Sequence, residues 1–243
     1  MKKMLTSLKK IIHKIKDGSA LEYFLWKTRI KKVTFESIQN NENIYLYAGD
    51  LTVAQREYDE RNWYGLSIIK NDKNHIYFDI TNKFPLIDNS VDVFCAEDVM
   101  EHIEYEKQLD IFNEIYRILK PNGVFRFSVP DFRCDLILQR TLKNKKGELM
   151  FDTGGGGKYS KIRRKVIKGG HVWFPVYESV KKIFDLSNFE EEKVNFLHFY
   201  KSSDSFVLKD IDYSICFIRR TPDNDPRTAN PRRPMSIVVD ATK

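Results

Sequence analysis

Apolar and polar residues follow two rhythms along this chain. Residues 44–48, 64–69, 75–78, 91–96 and 124–129 are short runs with little polar interruption, the pattern of strands covered on both faces. Between them the period lengthens. Residues 52–61 read as a helix, and residues 104–120 carry Leu109, Ile111, Phe112, Ile115, Tyr116, Ile118 and Leu119 at helical spacing before Pro121-Asn122-Gly123 closes the segment. The strand at 124–129 stops at Pro130. A helix over 177–186 and strands over 194–199, 213–218 and 236–239 complete the pattern. Such alternation predicts helices on both faces of a largely parallel sheet, with ligands taken at the carboxyl ends of its strands.

Two stretches fall outside this rhythm. Residues 144–170 are rich in glycine and lysine without hydrophobic period and read as a long loop or lid. Ahead of residue 44, "MKKMLTSLKKIIHKIK" places Met4, Leu5, Leu8, Ile11, Ile12 and Ile15 at steps of three and four, with lysines on the rest of the wheel. This basic amphipathic helix has two competing readings: packing on the domain or a partner subunit, or peripheral contact with an anionic membrane face. The expected organisation is an extension over 1–43 and an α/β domain over 44–243. The proline- and charge-rich "RRTPDNDPRTANPRRP" reads as irregular.

Composition narrows the classes. With 243 residues and 42% hydrophobic content the chain buries a sizeable core, which argues against disorder. The formal charge of +7 is compatible with nucleic acid, lipid or an anionic substrate, yet no aromatic and basic interleaving of an RNA-binding module is visible. The three cysteines lie far apart without a CxxC pair, so neither a zinc site nor a disulfide framework is expected, and Cys95 reads as a core residue in a reducing compartment. No stretch approaches the roughly 18 apolar residues that span a bilayer. The expectation is a cytoplasmic protein, at most peripheral to the inner membrane. "GGGGKYS" is not a phosphate loop: Asp152 stands where its first glycine belongs, and Tyr159 follows the lysine in place of a hydroxyl amino acid.

Residues 75–131, "HIYFDITNKFPLIDNSVDVFCAEDVMEHIEYEKQLDIFNEIYRILKPNGVFRFSVPD", show five features in order: a strand ending in Asp, a "PLIDNSVD" turn, a strand running into "EDVMEH", a helix ending "RILKPNG", and a strand ending "PD". In this the chain resembles the class I S-adenosylmethionine (SAM)-dependent methyltransferases, in particular a small bacterial group found with surface-polysaccharide synthesis. The resemblance implies a Rossmann-like, doubly wound, mostly parallel seven-stranded sheet with an antiparallel C-terminal strand pair. It implies SAM as cofactor. By it, Asp79 accepts from the adenine amino group with Ile80 alongside, and Glu97 and Asp98 lie near the sulfonium. The family's first strand ends in a Gly-x-Gly turn; here Tyr47, Ala48 and Gly49 occupy it, with Asp50 following. Ser67 replaces the acid that usually holds the ribose hydroxyls.

By the same resemblance His171, in "GGHVWFP", is the expected general base, with Asp131 as a second base or as its orienter. Arg133, Arg219 and Arg220 are candidates for an anionic acceptor. No metal is implied. The activity expected is O-methylation of a sugar or phosphorylated group of a bacterial surface glycan, of capsule or lipopolysaccharide type, or of its precursor. A catalytically inactive binding or scaffold module is the rival from another class. RNA methylation would show as steeply salt-dependent RNA binding; nucleic acid is not the expected partner, and an oligomer is open.

Overall fold

The computed structural model describes residues 32–58, 60–163 and 165–243; the amphipathic helix expected over residues 1–16 lies outside them. In chain order the helices are α1 (Phe35–Ile38), α2 (Val53–Tyr58), α3 (Gln108–Ile118), α4 (Asp135–Arg140), α5 (Tyr177–Leu186) and α6 (Pro226–Ala229). The strands are β1 (Tyr45–Ala48), β2 (Trp63–Ser67), β3 (His75–Tyr77), β4 (Val91–Glu97), β5 (Leu119–Pro130), β6 (Thr141–Lys143), β7 (Leu149–Asp152), β8 (Lys158–Ser160), β9 (Lys165–Lys168), β10 (Val194–Ser202), β11 (Ser205–Leu208) and β12 (Ser236–Thr242).

Eight of these strands form one sheet in the order β11-β10-β12-β5-β4-β1-β2-β3. The five strands from β5 to β3 are mutually parallel, whereas β12 runs antiparallel between β5 and β10. The chain order reverses between β1 and β4. At that switch point the two halves of the sheet diverge and leave a crevice at the strands' carboxyl ends.

Strand period 2 divides the interior between the faces. Leu46, Ala48, Phe94, Ala96, Phe125 and Phe127 join the larger core with Phe112 and Ile115 of α3 and Phe184 of α5. Phe112 meets Phe125, Phe127 and Phe184 at ring-centroid distances of 5.1, 5.4 and 4.8 Å, in the edge-on or tilted arrangements that aromatic quadrupoles favour. Val33, Phe35 and Ile38 pack into this core as well. Tyr47, Val93 and Cys95 face the other way, under Leu51, Ile211, Cys216 and Ile218.

Three expectations need correction. The strand read over 213–218 does not form: Tyr213 Oη bonds Thr221 Oγ1 and Asp223 Oδ2, and the segment covers the second face as turns. The eighth strand, β11, comes instead from a hairpin with β10. Residues 144–170 hold two small antiparallel pairs, β6 with β7 and β8 with β9, rather than an irregular loop. Cys95 and Cys216 form a disulfide, because segment 211–218 returns across β4, a proximity that their spacing does not disclose; Cys134 is free and buried. Among the described residues, no helix is long and apolar enough to cross a membrane.

Candidate active site

A cleft of about 430 Å³ opens at the switch point, from the end of β3 to the end of β4. Its floor is the turn after β1. Gly49 has φ +93°, its amide donates to Leu66 O at 2.7 Å, and an added Cβ would lie 3.1 Å from Val99 Cγ2. Glycine removes both the steric penalty and the obstruction. The residue at the first position of the turn, Tyr47, does not enter the cleft. Period 2 puts its ring on the second face, where it packs buried beside Leu51 and Trp63 and its hydroxyl bonds Gln55. Ala48 likewise belongs to the core rather than to the cleft wall. The space that a phenol could have closed is therefore free.

The remaining cofactor candidates divide between the cleft and elsewhere. Ser67 lines the cleft, but its Oγ accepts from the amides of Ile69 and Lys70 at 3.0 and 2.9 Å and so closes the turn after β2. A carboxylate suited to two hydroxyls stands next to it instead. Asp50 also lines the cleft and pairs with Lys70 at 2.9 Å; partial burial raises its pKa, yet hydrogen bonds from Ser67 and Lys70 hold it below its ordinary value. Asp79 closes an Asx turn through Oδ1, which accepts from Thr81 N and Oγ1. Its other oxygen is left for a donor such as an amino group, and Ile80 is buried alongside. Phe78 and Ile103 add apolar wall.

Of the acid pair after β4, only one faces the cleft. Asp98, at φ +56°, lines it and pairs through Oδ2 with Arg220 Nε at 2.9 Å. Glu97 falls two residues after Cys95 and shares its face. Its Oε1 accepts from the amides of Arg219 and Arg220 at 2.6 and 3.1 Å, and its Oε2 from Gln55 Nε2 at 3.3 Å. Burial and the Asp98 charge push its pKa up to about 7 against those two amides. It straps the C-terminal segment and does not line the cleft.

Behind Asp98 lies a cluster that only partly coincides with the sequence reading. The 3₁₀ turn Met100–His102 carries Glu101 inward, fully buried, while His102 lines the cleft. Three hydrogen bonds stitch residues 170–173 to this turn: Val172 N to Glu101 O, Trp173 Nε1 to Met100 O, and His102 Nδ1 to Gly170 O, at 2.9, 3.0 and 3.0 Å. They bring His171 Nε2 to 3.5 Å from Glu101 Oε1. On its other side His171 Nδ1 lies 3.3 Å from Asp152 Oδ2, which Arg140 holds at 2.7 Å. Burial, reinforced by His102, pushes the imidazole of His171 down to about 4 despite the pull of Asp152, so it is neutral near pH 7. The glycine run packs over this cluster: a Cβ on Gly155 would lie 2.8 Å from the His171 ring, and one on Gly157 2.6 Å from Gly169 O.

Asp131 and Arg133 are not part of the cluster. Asp131 is fully buried, and its two oxygens accept from the amides of Arg133 and Tyr200 at 2.9 and 2.8 Å, tying β5 to β10. Both oxygens serve the fold, and Asp131 does not line the cleft. Arg133 pairs with Glu178 at 2.8 Å and donates to the carbonyls of Tyr200 and Lys201, away from the cleft. Burial, partly offset by the two amides, raises Asp131 from 3.8 to about 6. A folded-state pKa above the unfolded one contributes stability that is full below about pH 3.8 and is lost as pH rises through 6. The carboxyl carbon of Asp131 is thus expected to titrate near pH 6 by ¹³C NMR; a midpoint at or below 4 would contradict its desolvation.

Sequence reasoning missed Glu101, His102, Arg140 and Asp152. The "EH" of "EDVMEHI" was a signal for the first two, but Glu101 also suits a helix-capping role; nothing in the sequence ties residues 140 and 152 to 171.

The mostly parallel strand order with its antiparallel β12 is a Rossmann-like α/β fold of the methyltransferase type, with the glycine turn at the end of β1 and the acids at the ends of β3 and β4 set around its crevice. Comparison with known families agrees: residues 45–127, about a third of the chain, match the profile of the family described as "Methyltransferase domain". No curated protein matches the chain significantly. Similar solved structures include a SAM-dependent methyltransferase of Methanosarcina mazei, 10% identical, covering 87% of this chain and 97% of that one with a TM-score of 0.49. Another, from Archaeoglobus fulgidus, is 16% identical over 91% of this chain and 99% of its own, with a TM-score of 0.46. A third, from Mesorhizobium loti, is 17% identical over 82% and 90%, with a TM-score of 0.43.

Proposed function

We propose that the protein methylates a hydroxyl oxygen of a small polar acceptor, a sugar or phosphorylated group of a bacterial surface glycan or of its precursor. The glycan class rests on the resemblance of residues 75–131. The choice of oxygen chemistry rests on one observation: a buried carboxylate, Glu101, and two imidazoles converge beside the β4 end of the cleft, where an acceptor hydroxyl needs groups to orient it and accept its proton. Bound SAM would supply an electrophilic methyl carbon on a sulfonium. The residues present fit that molecule: the cleft volume lies within the roughly 300–1,000 Å³ of small-molecule sites, Gly49 leaves its floor open, and Asp50 and Asp79 line it with carboxylates suited to ribose hydroxyls and an adenine amino group. Asp98 and Glu101 put negative charge near a cation at the β4 end. His102, which lines the cleft with His171 buried behind it, orients the acceptor, and Arg219, exposed on the adjoining loop, attracts a phosphorylated one.

S-adenosylhomocysteine (SAH) provides the test. At 100 times its dissociation constant it is expected to stabilise the chain by about 2.7 kcal/mol, read as a shift of the thermal midpoint. Absence of a shift at millimolar SAH would select the non-catalytic binding module.

A further inference from the structure

Glu101 is a buried acid of the site with no cation paired to it among the described residues. Asp98 has Arg220 at 2.9 Å, Asp152 has Arg140 at 2.7 Å, and Glu97 accepts two amides. Both carboxylate oxygens of Glu101 are buried with no hydrogen-bond partner among the described residues, and its side chain is 0% exposed. A wholly desolvated carboxylate in this condition is costly. What surrounds it is a set of lone pairs: His171 Nε2 at 3.5 Å and His102 Nε2 at 4.0 Å from Oε1. Glu101, His102 and His171 each offer one donor atom within 4.8 Å of the other two.

The other nitrogen of each ring explains why. His102 Nδ1 lies 3.0 Å from Gly170 O, an atom that only accepts, so the proton of a neutral ring resides on Nδ1. His171 Nδ1 faces Asp152 Oδ2 at 3.3 Å, and Arg140 fixes that carboxylate. The His102 ring is therefore turned so that its Nε2 lone pair points inward, and Asp152 stands behind the His171 ring without a hydrogen bond to it, the carbonyl and carboxylate backing found at metal-bound histidines.

We propose that Glu101, His102 and His171 bind a divalent cation of the zinc, manganese or iron(II) class. Two imidazoles and one carboxylate suit such borderline metals better than magnesium or calcium, which take oxygen ligands. The ion compensates the carboxylate, and three protein ligands leave a position open towards the cleft, to which His102 gives access. There it would coordinate the acceptor hydroxyl and lower its pKa, so that the three groups act on the hydroxyl through the ion rather than by taking its proton themselves, and the proton leaves to solvent. Its role towards the acceptor rests on the methyltransferase reading; the binding of the ion does not.

The test uses the full-length chain without a histidine tag, stripped with a chelator and titrated with Co²⁺ alone. Binding is followed by visible absorption, and bound metal is counted by elemental analysis. One ion per chain is expected. Glu101→Gln and His102→Gln should each weaken Co²⁺ binding at least about 100-fold, since losing a direct ligand costs no less than losing its supporting partner. His102, with a side chain 39% exposed, is the substitution that disturbs packing least, and circular dichroism confirms that each variant is folded. No binding below millimolar Co²⁺, or folded variants that bind as tightly as the parent, would overturn the proposal. SAH affinity of the metal-free chain is measured in parallel. SAH binding without Co²⁺ binding defeats the metal site alone, and the reverse defeats only the methyltransferase reading.

Discussion

Gly49→Val is expected to weaken SAH binding by up to about two orders of magnitude while leaving the chain folded. Two costs arise. A side chain in the left-handed region at φ +93° is strained by roughly 1–2 kcal/mol. A branched group there also meets Val99, whose Cγ2 lies 3.1 Å from the Cβ position, so its methyls must displace Val99 or project into the cleft, and overpacking of this kind costs roughly 1–3 kcal/mol. The strain lowers folding stability whether or not SAH is bound, whereas the steric cost, roughly 1–3 kcal/mol where the methyls take cofactor space, amounts to about 5- to 150-fold in a dissociation constant. Calorimetric titration with SAH measures it. Tyr47→Phe is the matched control: its ring lies outside the cleft, so SAH affinity should change less than about threefold. Parental affinity in the Gly49→Val chain would show that the cofactor does not lie against this turn.

The contrast between these two neighbours shows what sequence patterns can and cannot disclose. The apolar runs of β4 and β5 announced themselves because both faces of a central parallel strand are covered, so Phe94 and Cys95 are equally buried although they face opposite cores. The amphipathic helix α3 was equally plain, with Ile111, Phe112, Ile115 and Ile118 on one buried stripe. β9 was not, because Lys165–Lys168 is exposed at every position and has no buried face to impose a period of 2. Segment 211–218 misled for the opposite reason. Ile211, Cys216 and Ile218 are buried like strand residues, but as a lid of turns held by side chains rather than by a ladder. At the site, a residue type at a strand end fixes chemistry but not direction. Glu97 and Asp98 are adjacent acids, and the positive φ at Asp98 sends one to the C-terminal segment and the other to the cleft. The partnership of Glu101 with His171 depends on hydrogen bonds from a segment about 70 residues away, which no local pattern records.

The second large effect is expected at a residue remote from the cleft that nonetheless sets its shape. Arg126→Met should cost about 3–5 kcal/mol of folding stability. Arg126 is fully buried on β5, directly opposite Asp240 on β12, and clasps that carboxylate through Nε and Nη2 at 2.7 Å each. Its Nη1 donates to the carbonyls of Asp212 and Cys216 at 2.8 and 2.7 Å. One guanidinium therefore joins the sheet to the segment that ends in Arg219 and Arg220, whose amides Glu97 holds and whose Arg220 side chain pairs with Asp98 at the cleft. Methionine keeps much of the volume but leaves Asp240 without its cation and two carbonyls without a donor. Urea unfolding measures the loss, and adding Asp240→Leu should recover part of it, because an uncompensated charge costs more than an absent pair. Since Asp98 is positioned through the same segment, SAH binding by the folded fraction should weaken as well. A loss below about 1 kcal/mol would place Arg126 among solvated ion pairs, and the C-terminal segment would then need another anchor.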